Sequence, residues 1–241
     1  MQLEIAVQDA VGARIASDAG ADRVELCSAL SLGGVTPSAG VIEAVLAAAS
    51  CQVHVLVRPR PGDFHYSPLE VDTMIADVRL AVAAGAHGVV VGALTASAGV
   101  DERVLDRVLD AAGPADVTFH RAFDLVADAG VALEQLAERS VRRVLTSGGA
   151  SSAVVGIDGI ARLVGLSSGR VQIMAGGGVT LDSIPVLAGL GVDAVHLSAK
   201  RVRQVVGGFS LGADSVEGAM RWDETDAELV ARARAAVSGS S

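Results

Sequence analysis

Short β-branched runs alternate with longer Ala-rich amphipathic stretches from one end of the chain to the other. The period-two runs that predict strands fall at residues 3–7, 23–27, 52–58, 88–94, 117–121, 143–147, 171–175 and 194–199. Helical patterns lie between them, at 9–19, 37–48, 68–84, 101–112, 131–138, 156–166 and 181–190, with a last helix over about 226–236. Thr36 is placed to cap the second helix, with Pro37 at its first position. Ser67 and Glu70 form a capping box for the third.

A weak internal repeat runs through this pattern. Gly20-Ala21-Asp22-Arg23-Val24-Glu25-Leu26 resembles the stretches beginning at Gly85 and Gly191, and more loosely the one at Ser140. Each sets a helix end against a tight turn into a strand. Eight strands, each followed by a helix, match a single (β/α)8 TIM barrel. The rival is an open doubly wound sheet. Repeats that recur without a reversal in the middle favour closure. No composition shift divides the chain, so residues 1–241 read as one domain. Residues 201–222, Gly-rich and holding the only Trp, read as an irregular connection before the last helix.

In a closed barrel alternate strand residues point inward, and the functional face lies at the strand C-termini. Leu3, Ile5 and Val7 then face the helices, which turns Glu4 and Ala6 inward. The same alternation sends Glu25 and Cys27 inward, then His54, Leu56 and Arg58, then Thr118 and His120, then His196 and Ser198. Buried carboxylates need partners, so Glu4 and Glu25 are expected to meet Arg58, a His or a ligand. Arg121 falls out of phase with His120 and is expected on the rim, or paired with Asp124. Gly-rich turns follow three strands, and their N–H groups can cradle an anion. They offer Ser147, Gly148, Gly176, Gly177, Gly178 and Ser198 as anion-binding positions. The loop over residues 58–64 is stiffened by two prolines and carries Arg58 and Arg60; Arg58 is expected to face a ligand.

Composition narrows the partners. The chain is 51% hydrophobic and 20% charged, enough apolar residue to build a large core. Its net charge of −9 argues against a nucleic-acid or anionic-membrane binder, though not against a small anion held by a local Arg. The two cysteines, Cys27 and Cys51, form no CxxC pair and match no zinc spacing. No leader sequence and no bilayer-spanning run is evident, so a reducing, cytoplasmic setting is expected.

Glu25-Leu26-Cys27-Ser28, Arg58-Pro59-Arg60-Pro61-Gly62-Asp63-Phe64, Val117-Thr118-Phe119-His120-Arg121-Ala122-Phe123-Asp124, Leu145-Thr146-Ser147-Gly148-Gly149 and Met174-Ala175-Gly176-Gly177-Gly178-Val179 resemble the copper-homeostasis protein CutC family. The resemblance covers residues 3–200. It implies a TIM barrel, a cytoplasmic location, a homo-oligomer and copper ion handling. Of the family's two proposed copper-ligand cysteines, one is Cys27 here and the other falls on Ala6. Cys51 precedes the third strand while Cys27 ends the second, so the fold puts them at opposite barrel ends. Copper(I) binding would then use Cys27 with Met174, His120 or His196.

Two functions follow. One is copper handling without turnover. The other is an enzyme for a small anionic or phosphorylated metabolite. In it Glu4 or Glu25 is a general base and His120 an acid or electrophile, while Arg58 and the turn at 176–178 hold the anion.

Overall fold

The computed structural model describes residues 1–206 and 219–239, and side chains over 1–204 and 222–239. Eight parallel strands close into a barrel in sequence order. They are β1 (Gln2–Val7), β2 (Arg23–Leu26), β3 (Gln52–Leu56), β4 (Gly88–Val91), β5 (Asp116–Phe119), β6 (Arg143–Thr146), β7 (Gln172–Ala175) and β8 (Ala194–Leu197). The seam closes where β1 pairs with β8, setting Glu4 beside His196. On its other side β1 sets Glu4 beside Arg23 and Ala6 beside Glu25. The outward residues of these strands, Leu3, Ile5, Val7, Val24, Val53 and Val55 among them, pack into one continuous apolar layer under the helices. Fully burying each such side chain is worth about 1.5–3 kcal/mol. A core of aliphatic residues therefore needs few aromatics, and Phe119 and Phe123 are the only rings among the largest fully buried side chains.

The helices of the outer ring are α1 (Ala10–Asp18), α2 (Ala39–Ala48), α3 (Pro68–Ala83), α4 (Glu102–Ala112), α5 (Ala129–Glu138), α6 (Ile157–Ser167), α7 (Ile184–Gly189) and α8 (Ala227–Ser238). Most begin where a side-chain oxygen accepts a backbone N–H: Asp9, Ser67, Asp101, Asp128 and Asp226 do this, and Ser67 with Glu70 forms the capping box. Among the described residues no helix is long and apolar enough to cross a membrane.

Three readings change. The cap of α2 is Ser38, not Thr36. The Thr36 hydroxyl instead accepts the Arg58 N–H at 2.9 Å and so fixes the exit from β3. Several strands stop earlier than their apolar pattern: β3 ends at Leu56, and residues 121–125 form a 3-10 turn after β5. Arg58, His120, Ser147, Gly176 and Ser198 thus stand just beyond strand ends. Residues 201–222 are not simply irregular. β9 (Lys200–Val206) and β10 (Ala219–Thr225) pair as an antiparallel ribbon. Residues 207–218 of that segment lie outside the described residues.

Candidate functional site

At the C-terminal ends of the strands is a cavity of about 290 Å³ whose wall includes Glu25, Leu56, Arg58, Phe64, His120, Arg121, Leu145, Gly177, Gly178, His196 and Ser198. Its floor is an ion-pair layer. Glu4, fully buried, accepts from Arg23 Nε through one oxygen, and His196 Nδ1 lies 2.7 Å from the other. Burial alone would raise the Glu4 pKa; the Arg23 guanidinium and the His196 hydrogen bond reverse this and hold it well below the usual carboxylate range. Glu4 is therefore a fixed anion that orients His196, and both its oxygens are already engaged.

Glu25, one turn of the pleat higher, is treated differently. Its Oε2 is buried without a hydrogen-bond partner. Burial pushes its pKa up to about 7, against the opposing pull of His196. For His196, burial works against the charged ring, but Glu25 and Glu4 outweigh it and raise the pKa.

His120 caps the 3-10 turn after β5. Its Nδ1 accepts the Ala122 N–H at 3.1 Å, which leaves the ring proton on Nε2. That Nε2 is buried with no partner. Burial, with Arg58 adding to it, pushes the His120 pKa down to about 3. The ring tilts against Phe64, centroid to centroid 4.9 Å. Only glycine fits at position 92, because a Cβ there would stand 2.3 Å from the imidazole.

Arg58 is 7% exposed and carries no carboxylate partner among the described residues. Its Nη1 donates to the Leu32 and Gly34 carbonyls at 3.3 and 3.0 Å, and its Nη2 to Gly62 at 2.9 Å. The guanidinium lies 5.0 Å over the Phe64 ring, and Nε finds no acceptor.

The two glycine turns separate. After β6, Asp124 fills the cradle itself: Ser147 N–H and Gly149 N–H donate to its carboxylate at 3.0 and 3.1 Å, and Arg121 Nε at 2.8 Å. Ser147 and Gly149 thus hold an anion that the chain supplies, while the Gly148 N–H donates to Thr146 Oγ1 at 2.9 Å. After β7, the Gly176 N–H donates to Thr146 O at 2.9 Å, and Gly177 and Gly178 line the cavity. Gly177, at φ +89°, also lets Arg121 lie against the turn, since a Cβ would sit 2.7 Å from its guanidinium carbon.

Cys27 is fully buried among Leu56 and Val90, and burial together with the Glu25 charge pushes its thiol up to about 12. Met174 packs with Leu145 and Ala194, and its sulfur accepts from Arg23 at 3.4 Å. The two sulfurs therefore occupy different parts of the interior. Among the described residues one group of three could approach a metal ion, Glu4, Glu25 and His196, with ligand atoms within 4.8 Å of one another. This is a hard oxygen and nitrogen set, and Arg23 already holds Glu4.

Sequence reasoning singled out Glu4, Glu25, Arg58 and His120 and passed over Arg23, Arg143 and Phe64. Arg23 is in phase with Glu25, two residues on, so the alternation contained the signal. Arg143, nearly fully buried, donates to Thr118 Oγ1 at 3.0 Å lower in the same interior.

Fold and cavity define a (β/α)8-barrel protein with a small-molecule-sized cavity at the strand C-termini. The chain belongs to the CutC family, whose model matches residues 1–201. A CutC family protein of Pasteurella multocida is 44% identical over 204 residues, 84% of each chain. The copper homeostasis protein cutC homolog of Homo sapiens is 45% identical over 202 residues, 83% of this chain and 74% of that one. The crystal structure of a CutC protein from Streptococcus agalactiae superposes with a TM-score of 0.78 at 31% identity, covering 82% of this chain and 98% of that one.

Proposed function

We propose that this chain acts by acid–base chemistry on a small anionic metabolite held at the mouth of its barrel. One observation carries the reading: Glu25, Arg58 and His120 line one cavity, and each carries a buried side-chain atom, Oε2, Nε and Nε2 respectively, without a hydrogen-bond partner. Buried polar atoms without partners are uncommon, and three on residues that line one cavity support a ligand there. Arg58 lacks a carboxylate, so an anionic ligand supplies the missing charge. Glu25, at about 7, suits proton transfer near neutral pH. The test is titration with inorganic phosphate, followed by the NMR signals of His120 and His196. Saturable shifts at these rings are expected; rings that ignore phosphate would sink the reading.

Copper(I) binding is the second reading, supported by the family and by the name of the human relative. Cys27 would be its soft ligand, with Met174, His120 or His196 completing the set. Copper would have to displace a proton that burial holds on the thiol. Titration against a competing copper(I) chelator, with Cys27→Ala alongside, decides it: no tight binding, or none lost in the variant, removes it. Two free thiols support a reducing, cytoplasmic setting. Exposed Val202 and Trp222 on the β9–β10 ribbon support self-association, which light scattering would check.

A further inference from the structure

The unpartnered groups on the cavity wall differ in kind, and the difference narrows the chemistry. This step rests on the reading of the cavity as an anionic-metabolite site. A backbone N–H can donate to an imidazole nitrogen only where that nitrogen keeps its lone pair. The Ala122 N–H donates to Nδ1 of His120 at 3.1 Å, so the ring is neutral and Nε2 carries its one proton. Nε2–H of His120 and Nε–H of Arg58 are therefore two buried donors awaiting an acceptor. Glu25 Oε2 is a buried acceptor on a residue that lines the same cavity.

A bare oxyanion would satisfy the donors and be repelled by Glu25. An anionic carbonyl compound with an acidic C–H would satisfy all three: its anionic group to Arg58, its carbonyl oxygen to His120, and its hydrogen to the carboxylate. The route through an amine is closed. The chain has one lysine, Lys200, which does not line this cavity and lies 2.5 Å from Asp223.

We infer that the site enolises a small phosphorylated or carboxylated hydroxycarbonyl compound, with Glu25 as the base and the Nε2–H of neutral His120 holding the developing oxyanion. The Glu25 carboxylate takes the proton from the carbon next to the carbonyl. The C–H electron pair becomes a C=C bond, and the carbonyl π pair moves onto oxygen. Return of a proton from the Glu25 carboxylic acid restores the carbonyl. The cycle balances with no oxidant, reductant or metal, and when it reverses fully its trace is exchange of the carbon-bound hydrogen with solvent. Arg58, which has no carboxylate partner among the described residues, holds the phosphate or carboxylate group of the substrate. A preorganised oxyanion donor such as the His120 Nε2–H typically contributes about 10²–10³-fold to rate.

The experiment has three arms on the full-length chain. Proton NMR follows loss of the C–H signals of dihydroxyacetone phosphate in heavy water. Nitrogen-15 NMR assigns the His120 tautomer in the ligand-free protein near neutral pH. Titration with 2-phosphoglycolate, an unreactive enediolate mimic, and with inorganic phosphate reports binding. Expected are protein-dependent exchange, an Nε2–H tautomer, and tighter binding of phosphoglycolate than of phosphate. Glu25→Gln should lower exchange at least about 100-fold. His120→Asn keeps an oxygen that can cap Ala122 and loses the donor; it should lower exchange about 10²–10³-fold, with the fold intact by circular dichroism. Phosphate binding without exchange above buffer overturns this inference and leaves the anion site standing. Failure of both anions to bind removes both readings. An Nδ1–H or doubly protonated His120 overturns the inference whatever the substrate.

Discussion

Two arginines, Arg58 and Arg121, follow barrel strands and line the same cavity, yet their surroundings differ. Arg121 lies 2.8 Å from Asp124, whose carboxylate also collects the Ser147 and Gly149 N–H groups. Arg58 has no carboxylate partner among the described residues; its guanidinium donates to three carbonyls and lies over the face of Phe64. The β5–β6 side of the mouth thus brings its own anion, while the β3 side has a buried cation and none. One side is finished as folded, and the other is complete only with a ligand.

Asp124→Ala is the strongest way to break this contrast. Asp124 is nearly buried, with its side chain 6% exposed. Its loss leaves the Ser147 and Gly149 N–H groups without their acceptor, and the Thr146 hydroxyl, which lies 2.5 Å from the carboxylate, without its own; Arg121 keeps Ser147 Oγ and the Ala150 carbonyl. A loss of about 3–5 kcal/mol in urea unfolding is expected, carried by the buried donors left unpaired at about 1–3 kcal/mol each, since the Arg121 side chain is 40% exposed and can turn to water. Asp124→Asn, keeping one acceptor oxygen, should cost less. A loss for Asp124→Ala below about 1 kcal/mol would mean that this side is not held by its internal anion.

How far this division could be read from sequence depends on what marks it there. Alternation placed Glu4, Glu25, Arg58 and His120 inside, because period two is a property of the pleat and survives wherever a strand is buried on one side. Pairing is not periodic. Glu4 and Glu25 look equivalent in sequence, and only the barrel seam, with His196 and Arg23 on either side of Glu4, separates the fixed anion from the free one. Thr36 and Ser38 are both competent caps; the choice falls to Ser38 because Thr36 is taken by the Arg58 N–H. The β9–β10 ribbon was illegible for another reason. It is held by cross-strand pairs such as Arg203 with Glu224 at 2.7 Å and Lys200 with Asp223 at 2.5 Å, and Val202 and Trp222 stay exposed. Such a ribbon leaves no clean apolar alternation to mark it.

The two carboxylates offer a subtler way to sharpen the comparison, since their pKa values move apart. Glu25 is raised from 4.5 to about 7. The folded chain then binds its proton more tightly than the unfolded chain. Glu25 stabilises the fold fully below pH 4.5, and that contribution is lost as pH rises toward about 7. Glu4 is lowered, so its contribution is present above 4.5 and is lost as pH falls toward its depressed value. Unfolding midpoints measured across pH should fall on both sides. Glu25→Gln should flatten the upper limb by about 1–3 kcal/mol, and Glu4→Gln the lower. An upper limb unchanged in Glu25→Gln would assign it to His196 alone, whose raised pKa gives the same sign.

The smallest expected effect bears most directly on the two arginines. Arg58→Met removes a buried charge that no carboxylate balances, and it keeps a stem of similar shape against Phe64. Three carbonyl hydrogen bonds are lost, but so is the cost of holding an unpaired cation inside, so the ligand-free fold should weaken by only about 1 kcal/mol. Inorganic phosphate raises the stability of a protein that binds it only when folded, by RT ln(1 + c/Kd), with c the free phosphate concentration. That gain should need about tenfold more phosphate in Arg58→Met, equivalent to about 1.4 kcal/mol. Arg121→Met should leave the phosphate response nearly unchanged, because Asp124 already neutralises that guanidinium. The stability cost and the ligand cost should therefore fall on opposite sides of the mouth. Equal phosphate responses in the two variants would show that the cavity does not distinguish its arginines, and that the missing anion is not recognised through Arg58.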